Sequence, residues 1–364
     1  MLGKLAALAA RIYRKNSVAI NKNSQCNQDV IYVANQGSNN ISQYIISAHG
    51  RLLSLATATV AAGTTPVCIA VSPSGKYAYV ANQGSNSISQ YRIAADGNLE
   101  PIAEPVAAGT SPVEIAIDPA GRYAYAVNNS SNDLSQYRIG ENGMLIAMSP
   151  AAVETGRIPV AVAVDPSARY VYVVNNSSHD ISQFTIAEHG GLLPMTPPTV
   201  AAGEAPRSIT IDPAGKYAYV VSRTKGNISQ YAIAPDGSLA LLPVVVAAGK
   251  NPIFISISPS GKYAYVANQN SNNISQFSLA DDGSLIPMHP AMVASAVTPV
   301  CIELARSGKY AYVTNISSND VSQYAVGSDG QLSAIPVNAW GDATIAAEVS
   351  PRCVKSASIK SGAA

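Results

Sequence analysis

The sequence contains few charged side chains. Asp, Glu, Lys and Arg together make up 12% of the 364 residues, and the formal net charge is +1. Disordered chains and nucleic-acid-binding surfaces both depend on an excess of charge, so we expect neither here. No apolar run approaches the ~20 residues of a membrane-spanning helix, and no transmembrane segment is expected. The 47% of hydrophobic residues instead favours a folded protein.

Histidine is scarce as well. The four histidines lie in predicted turns or loops or beside a proline: His49, His179, His189 and His289. No two have metal-ligand spacing, and no Ser-His-Asp or Cys-His set can be assembled on one face of the fold predicted below. A glycine-rich phosphate-binding loop is also missing. We therefore expect no metal and no cofactor.

The first 25 residues differ from the rest of the chain. Apolar residues between Leu2 and Ile12 fall near helical spacing and are flanked by Lys and Arg. A signal peptide needs a longer apolar region followed by a cleavage site, and the run 5–10 is short and closed by Arg11. We expect residues 1–25 to form a frayed or weakly helical extension outside the fold. A membrane-surface helix and a misassigned start codon are the alternatives.

The remainder of the chain is a repeat. Aligned on the second aromatic residue of a Tyr-x-Tyr pair, the copies are 46 or 47 residues apart. The aligned residues are Tyr32, Tyr79, Tyr125, Tyr172, Tyr219, Tyr265 and Tyr312. Side chains of different size alternate with a period of two in segments such as 67–71 (VCIAV) and 77–80 (YAYV), and Gly, Pro and Asn separate these segments. This pattern predicts four short strands joined by tight turns in each copy.

Seven copies of four strands predict an all-β fold, a seven-bladed β-propeller with four antiparallel strands per blade. The first copy begins at Asp29 and lacks its opening strand, whereas the tail 341–352 aligns with 63–74. We therefore expect one blade to be closed by both chain ends, which removes the open edge of the ring. The predicted domain is 26–354, with a tail at 355–364, and the protein is expected to be monomeric.

The four cysteines divide into two pairs. Cys26 and Cys353 both align with the turn after the first strand of the shared blade, so they are a candidate disulfide. Such a bond would close nearly the whole chain into a loop and contribute about 4–5 kcal/mol. Four cysteines alone do not establish an oxidising compartment, so the bond stays open and a periplasmic or secreted location is only slightly favoured. Cys68 and Cys301, two blades apart, are interpreted as buried small hydrophobes.

The repeat resembles a known family. The segment Tyr312–Asn315 reads YVTN, near-copies YVAN begin at Tyr32, Tyr79 and Tyr265, and Asp-Gly-x-Leu recurs after them. These motifs resemble the YVTN-repeat propellers and the lactonase family typified by 6-phosphogluconolactonase, over residues 28–352. The resemblance implies a seven-bladed propeller and a possible hydrolysis of lactones.

The resemblance also implies four site positions. An Arg follows the proline that opens one blade, which Arg207 matches. A Glu just past the second strand of that blade is replaced by Arg223, a His at the start of the preceding blade by Val160, and a second Arg by Ile253. One of the four positions is therefore matched.

Residues that differ between repeats are the candidates for function. In the fifth repeat the loop after the second strand reads VSRTKGN, which introduces Arg223 and Lys225 where other repeats are uncharged or acidic. The starts of the first strands lie at the same face as this loop, which adds Arg207, Arg157 and Lys250. Several cations near a channel mouth favour a carboxylate or phosphate ligand. Scattered surface charge, partly paired with acidic neighbours such as Glu204, is the alternative interpretation.

Acidic residues are the second exception. Glu303 and Glu348 align at one innermost-strand position of two neighbouring blades, and Glu114 lies one step along its own strand. Carboxylates held close together should raise at least one pKa or recruit a cation, so Glu303 and Glu348 are weak catalytic candidates. Buried water or a structural ion would satisfy them equally well.

Three functions follow from these observations. The leading one is a rigid binding platform, without activity, for an anionic small molecule or a protein partner. The second is a hydrolase of lactones or related sugar acids, in which Arg207 holds the substrate and Glu303 or Glu348 activates water. The third is a surface or adhesive repeat protein that uses its polar loops.

Overall fold

The structure, a computed structural model, describes residues 28–336 and 344–359. In this part of the chain every regular element is a strand. The strands are β1 (Gln28–Asn35), β2 (Asn40–Ile46), β3 (Leu52–Ala61), β4 (Pro66–Val71), β5 (Tyr77–Asn82), β6 (Ser87–Ile93), β7 (Leu99–Ala107), β8 (Pro112–Ile117), β9 (Tyr123–Asn128), β10 (Asp133–Ile139), β11 (Leu145–Glu154), β12 (Pro159–Val164), β13 (Tyr170–Asn175), β14 (Asp180–Ile186), β15 (Leu192–Ala201), β16 (Pro206–Ile211), β17 (Tyr217–Ser222), β18 (Asn227–Ile233), β19 (Leu239–Leu241), β20 (Val246–Ala247), β21 (Pro252–Ile257), β22 (Tyr263–Asn268), β23 (Asn273–Leu279), β24 (Leu285–Ala294), β25 (Pro299–Leu304), β26 (Tyr310–Asn315), β27 (Asp320–Val326), β28 (Leu332–Ala334), β29 (Thr344–Ala346) and β30 (Pro351–Ile359).

The strands form seven antiparallel sheets, which are the blades of a ring. We number the blades along the chain: blade 1 is β30-β1-β2-β3, blade 2 is β4 to β7, blade 3 is β8 to β11 and blade 4 is β12 to β15. Blade 5 is β16 to β20, blade 6 is β21 to β24 and blade 7 is β25 to β29. The prediction of a seven-bladed β-propeller with four antiparallel strands per blade is confirmed. The outer strand is split in two in blades 5 and 7.

Burial decreases from the second strand to the rim of each blade. In blade 2 the second strand is almost wholly buried, whereas most residues of the outer strand β7 are exposed or half-buried. The second strand lies between two others and against both neighbouring blades, so its apolar residues face protein on both sides. This explains why every repeat keeps an apolar YAYV-like segment at this place.

Blade 1 closes the ring as expected, but through a different segment of the tail. Strand β30 is its innermost strand, and it pairs with β1 from Gln28 opposite Ile359 to Ala34 opposite Cys353. The predicted alignment of 341–352 with 63–74 was therefore wrong. The alignment that agrees with the structure sets TIAAEVSPRC (344–353) against TVAAGTTPVC (59–68). This alignment matches Pro351 to the opening proline Pro66 and Cys353 to Cys68, and the pairing of β30 with β1 selects it.

This register changes three predictions. Residues 355–359, which the sequence assigned to a tail outside the domain, belong to β30. Cys353 lies within this strand and not in a turn, and it is a free, buried thiol. Its proposed disulfide partner Cys26 lies outside the described residues, and so does the extension 1–25. The start of β1 pairs with the end of β30 that is farther from Cys353.

Two hydrogen bonds that recur between neighbouring blades hold the ring together. In every blade a tyrosine hydroxyl of the second strand donates to a glycine carbonyl in a turn of the next blade, over 2.5–2.8 Å: Tyr32 to Gly97, Tyr79 to Gly143, Tyr125 to Gly190, Tyr172 to Gly237, Tyr219 to Gly283, Tyr265 to Gly330 and Tyr312 to Gly50. A third-strand glutamine of every blade accepts from a leucine N–H of the next blade, for example Gln43 from Leu99 at 2.7 Å. The repeated Tyr, Gln and Gly are therefore structural residues.

All innermost strands run in the same direction and begin at one face of the ring. Each opening proline pairs with the last residue of the second strand, as Pro66 does with Asn82. The loops that follow the second strands therefore lie at the same face as the starts of the innermost strands. We call this face, at which β4, β8, β12, β16, β21, β25 and β30 begin, the front face.

Candidate functional site

A cavity of about 440 Å³ occupies the centre of the ring, and residues from all seven innermost strands line it. This volume suits a small-molecule ligand. Its charged lining residues are Glu114, Arg207, Glu303, Arg352 and Lys355. We call this space the channel cavity.

Two arginines occupy the same position of their strands, immediately after the opening proline. Arg207 follows Pro206 in blade 5, and Arg352 follows Pro351 in blade 1. The other five blades carry an apolar residue there: Val67, Val113, Val160, Ile253 and Val300. Both guanidinium groups line the channel cavity and are half-buried. The sequence predicts Arg207 as a site residue but not Arg352, because the predicted alignment of the tail places Arg352 outside the innermost strand.

Burial and mutual repulsion affect both arginines. Burial lowers the pKa of Arg207 below its ordinary value, and the positive charge of Arg352 lowers it further, while Glu114 opposes the shift. Burial also lowers the pKa of Arg352. Arg352 donates a hydrogen bond from Nε to Gln36 Oε1, whereas Arg207 has no ion pair within the described residues. Two cations that line one cavity and repel each other favour an anionic ligand.

Glu114 lies two residues after the opening proline Pro112, in the innermost strand of blade 3. Its Oε2 accepts a hydrogen bond from the Val162 N–H of blade 4 at 3.1 Å. Burial raises the pKa of Glu114 to about 8, although this hydrogen bond and the charge of Arg207 both oppose the rise. The carboxyl group is therefore largely protonated at neutral pH, and it can both give and take a proton near that pH.

A second carboxylate of the cavity is neutralised by an ion pair. Lys355 Nζ lies 3.1 Å from Glu303 Oε2, and Ser356 Oγ donates to Glu303 Oε1 at 3.0 Å. Glu303 raises the pKa of Lys355 above its ordinary value. The prediction that Glu348 shares this position with Glu303 is wrong. Glu348 is exposed in the bend before β30, and Lys355 occupies the place that the sequence assigned to it.

The remaining predicted cations are separated from Arg207. Arg157, Arg223, Lys225 and Lys250 are exposed at the front face, and none of them lines the channel cavity. Lys225 and Lys250 line a shallow depression between blades 5 and 6.

Two of these cations already have partners in the structure. Lys225 Nζ lies 3.3 Å from Glu204 Oε2, and both side chains are exposed. Arg223 donates to Asn251 Oδ1 of blade 6. The structure therefore brings the five predicted cations to one face, but it assigns only Arg207 to the cavity.

Three cysteines also line the channel cavity. Cys68, Cys301 and Cys353 are all free thiols, and each lies two residues after the opening proline of its blade. Blades 7, 1 and 2 are consecutive in the ring, so Cys353 lies between the other two. The interpretation of Cys68 and Cys301 as buried hydrophobes does not include this arrangement, because the predicted alignment places Cys353 in a turn.

Within residues 28–336 and 344–359, no group of three or more His, Cys, Asp and Glu side chains is arranged to hold a metal ion. The same part of the chain has no helix that is long and apolar enough to cross a membrane.

Comparison with known families agrees with the fold. The profile of the family described as "Lactonase, 7-bladed beta-propeller" matches residues 9–113, 102–207 and 193–303, which together are more than half of the chain. The chain belongs to this lactonase family. A comparison with curated proteins finds no match.

Solved structures of lactonase-like propellers are similar to this chain. A candidate 6-phosphogluconolactonase from Bacteroides fragilis is 21% identical, with a TM-score of 0.79 over 92% of this chain and 99% of that protein. One from Bacteroides uniformis is 20% identical, with a TM-score of 0.78 over 91% and 100%. The periplasmic gluconolactonase of Pseudomonas aeruginosa is 17% identical, with a TM-score of 0.77 over 91% and 99%. At these identities the similarity shows the fold alone.

Proposed function

We propose that the protein hydrolyses a lactone that carries an anionic group, in the channel cavity. The observation that carries this proposal is the convergence of Arg207, Arg352 and Glu114 on one cavity of a lactonase-family propeller. The three side chains come from blades 5, 1 and 3. They combine anion-binding groups with a carboxyl group that titrates near neutral pH. The similar propellers named as gluconolactonases favour a sugar-acid lactone as the substrate class.

The two arginines bind the substrate in this proposal. A guanidinium group forms two parallel hydrogen bonds with a carboxylate or phosphate, which fixes the orientation of the ligand. Within the cavity Arg207, Arg352 and Lys355 outnumber the ionised carboxylates, because Glu114 is largely protonated and Glu303 is paired with Lys355. A lactone with a phosphate or carboxylate substituent relieves the repulsion between the arginines. One guanidinium also stabilises the negative charge that develops on the carbonyl oxygen.

Glu114 moves the proton. Opening a lactone requires a base for water and an acid for the ring oxygen that leaves. A group is most effective in this role when its pKa lies near the working pH, and general acid–base catalysis contributes about 10²–10⁴-fold. The pKa of Glu114, about 8, meets that condition. The roles first assigned to Glu303 and Glu348 pass to Glu114, because Glu303 is held by Lys355 and Glu348 lies outside the cavity.

Acid release from glucono-δ-lactone and 6-phosphogluconolactone, measured in a pH-stat against a blank without protein, tests the proposal. We expect turnover above the blank, a higher KM for Arg352→Ala and Arg207→Ala, and a kcat at least ~100-fold lower for Glu114→Gln. Glu348→Gln is the matched control, because that carboxylate is exposed and outside the cavity. Rates equal to the blank for a panel of aldonolactones would refute the proposal.

A binding role without turnover is the second candidate. It is favoured by the three family positions that differ here, Val160, Arg223 and Ile253. Calorimetry with gluconate and 6-phosphogluconate distinguishes the two. Binding that is lost in Arg207→Ala, together with rates equal to the blank, would establish a platform for anionic ligands in place of an enzyme.

A further inference from the structure

The three cavity thiols occupy equivalent places in blades 7, 1 and 2. Cys301, Cys353 and Cys68 each lie two residues after an opening proline, where the other blades carry Glu114, Ala161, Ser208 and Phe254. All three line the same cavity as Arg207 and Arg352. The arrangement therefore places the three sulfurs in the same cavity as Glu114, the group that we propose moves the proton.

The middle sulfur has a different environment from the outer two. The N–H of Ile69, in blade 2, lies 3.4 Å from Cys353 Sγ and points to it as a donor. On the other side, Cys301 Sγ lies 4.0 Å from the carbonyl oxygen of Val354, the residue after Cys353. Cys353 is thus held between the two neighbouring blades.

The charge around Cys353 favours its thiolate. Interactions with the thiols of Cys301 and Cys68 lower the pKa of Cys353 well below its ordinary value, although burial opposes the shift, and the charge of Lys355 lowers it further. The pKa values of Cys68 and Cys301 are raised, because hydrogen bonding to Cys353 and burial both favour their protonated forms. These interactions favour the thiolate at Cys353 over its two neighbours, and the thiolate is the reactive form of cysteine.

We propose that Cys353 is the nucleophile of the channel site and accepts the acyl group of the lactone as a thioester. This proposal rests on the proposed function, since it specifies how the same site opens the ring. Covalent catalysis of this kind divides one difficult step into two easier ones. Cys68 and Cys301 are positioning residues, which act only through Cys353.

The two steps balance as follows. In the first, the Cys353 thiolate attacks the lactone carbonyl carbon, a C–S bond forms, and the ring C–O bond breaks. The departing ring oxygen takes the proton of the Glu114 carboxyl group. In the second, ionised Glu114 takes a proton from water, and the hydroxide forms a C–O bond with the acyl carbon. The C–S bond breaks, the thiolate returns, and the net reaction is lactone plus water to hydroxy acid.

Intact-protein mass spectrometry after rapid acid quenching tests the proposal on the full chain. With 6-phosphogluconolactone we expect a fraction of the protein to gain the mass of one lactone. Peptide mapping should find this mass on the peptide that contains Cys353. In Glu114→Gln the adduct should form more slowly, because the first step lacks its acid, and adduct that has formed should persist longer, because the second step lacks its base.

Substitution of each cysteine in turn distinguishes the nucleophile from its neighbours. Cys353→Ala and Cys353→Ser should form no adduct and turn over at least ~100-fold more slowly, with circular dichroism showing that both fold. Cys68→Ala and Cys301→Ala should retain the adduct on Cys353 but form it several-fold more slowly, because each removes one interaction that favours the thiolate. An adduct that moves to Cys68 or Cys301 would overturn the assignment.

The failure of this proposal and the failure of the proposed function give different results. If Cys353→Ala turns over the lactone as fast as the unaltered protein, Cys353 is not the nucleophile. The proposed function would then stand, with water attacking the lactone directly. If the unaltered protein neither turns over a lactone nor gains mass, both proposals fall. Mass gain that peptide mapping assigns to Cys353, without turnover, would support Cys353 as the acceptor and rule out the hydrolase, and mass gain on a lysine would count against Cys353.

Discussion

The contacts between blades are the same in all seven repeats, whereas the residues that line the channel vary. Between blades, all seven copies make the same tyrosine-to-glycine hydrogen bond, including the one from Tyr312 to Gly50 that joins blade 7 to blade 1. In the channel, the two positions after the opening proline vary: the first is Arg in two blades and apolar in five, and the second is Cys in three blades and Glu, Ala, Ser or Phe in the others. The repeated bonds fix the ring, and a fixed ring allows single blades to change a channel residue without loss of the fold.

The two groups of cations at the front face differ in a similar way. Lys225 and Arg223 are exposed and already have protein partners, whereas Arg207 and Arg352 are half-buried and face the cavity. Exposed ion pairs contribute little, because water screens them and the long side chains lose entropy. Charges that are partly desolvated interact more strongly with each other and with a ligand. Position in the ring therefore decides which cations can form a site.

The largest effect in this comparison should come from the channel carboxyl group. The pKa of Glu114 in the folded protein, about 8, lies above its ordinary value of 4.5. Folding therefore loses stability as pH rises from about 4.5 to about 8, because the unfolded chain ionises first. Glu114→Gln should remove this loss and stabilise the protein by on the order of 3 kcal/mol at pH 8. Urea unfolding at pH 5 and pH 8 measures the difference.

Glu348→Gln provides the control for this change. Its carboxylate is exposed, so the substitution should alter the free energy of unfolding by less than about 0.5 kcal/mol at either pH. A gain in Glu114→Gln that is the same at pH 5 and pH 8 would contradict the cause given for the raised pKa.

An intermediate effect should come from the bonds between blades. Tyr312→Phe removes the hydroxyl that donates to Gly50 O at 2.8 Å and leaves that buried carbonyl without its partner. We expect a loss of about 1–3 kcal/mol in the free energy of unfolding, measured by urea denaturation.

Tyr310→Phe is the matched variant. Its hydroxyl donates to Ala48 O at 3.0 Å in an exposed setting, where water can replace it. The expected loss is below about 1 kcal/mol. Equal losses for the two variants would mean that burial does not decide the strength of these contacts.

The smallest effect should come from the exposed cations. Lys225→Ala breaks the 3.3 Å ion pair with Glu204, but both side chains are exposed. We expect a change below about 0.5 kcal/mol in the free energy of unfolding, and a smaller one in 1 M salt. A loss greater than 1 kcal/mol would show that the front-face cations support the ring.

The repeat made the architecture predictable. The 46- or 47-residue spacing and the alternation of apolar residues were enough to give seven blades, four strands in each and a shared blade. Gly50 illustrates why the turn residues also recur. Its φ of 78° and the ring of Tyr310, 2.2 Å from where a Cβ would lie, both require glycine.

The site was less predictable. Arg207 and Glu114 were found as exceptions to the repeat, and both line the cavity. The tail, however, contains two alternating segments that fit an innermost strand equally well by polarity. The wrong choice put Glu348 in place of Lys355 and moved Arg352 and Cys353 out of the channel. Pairing with β1 decided the matter, because it fixes which residue lies opposite Ala34.

The sequence by itself determined the ring, since a strand pattern written seven times leaves few other ways to bury its apolar faces. Tertiary structure alone decided which of the residues that differ between repeats line the same cavity. Arg207, Arg352 and Glu114 are far apart in the chain, and their shared cavity depends on the closure of blade 1 by β30. Local pattern specifies strands, whereas the register between the chain ends is set by pairing and packing over the whole ring.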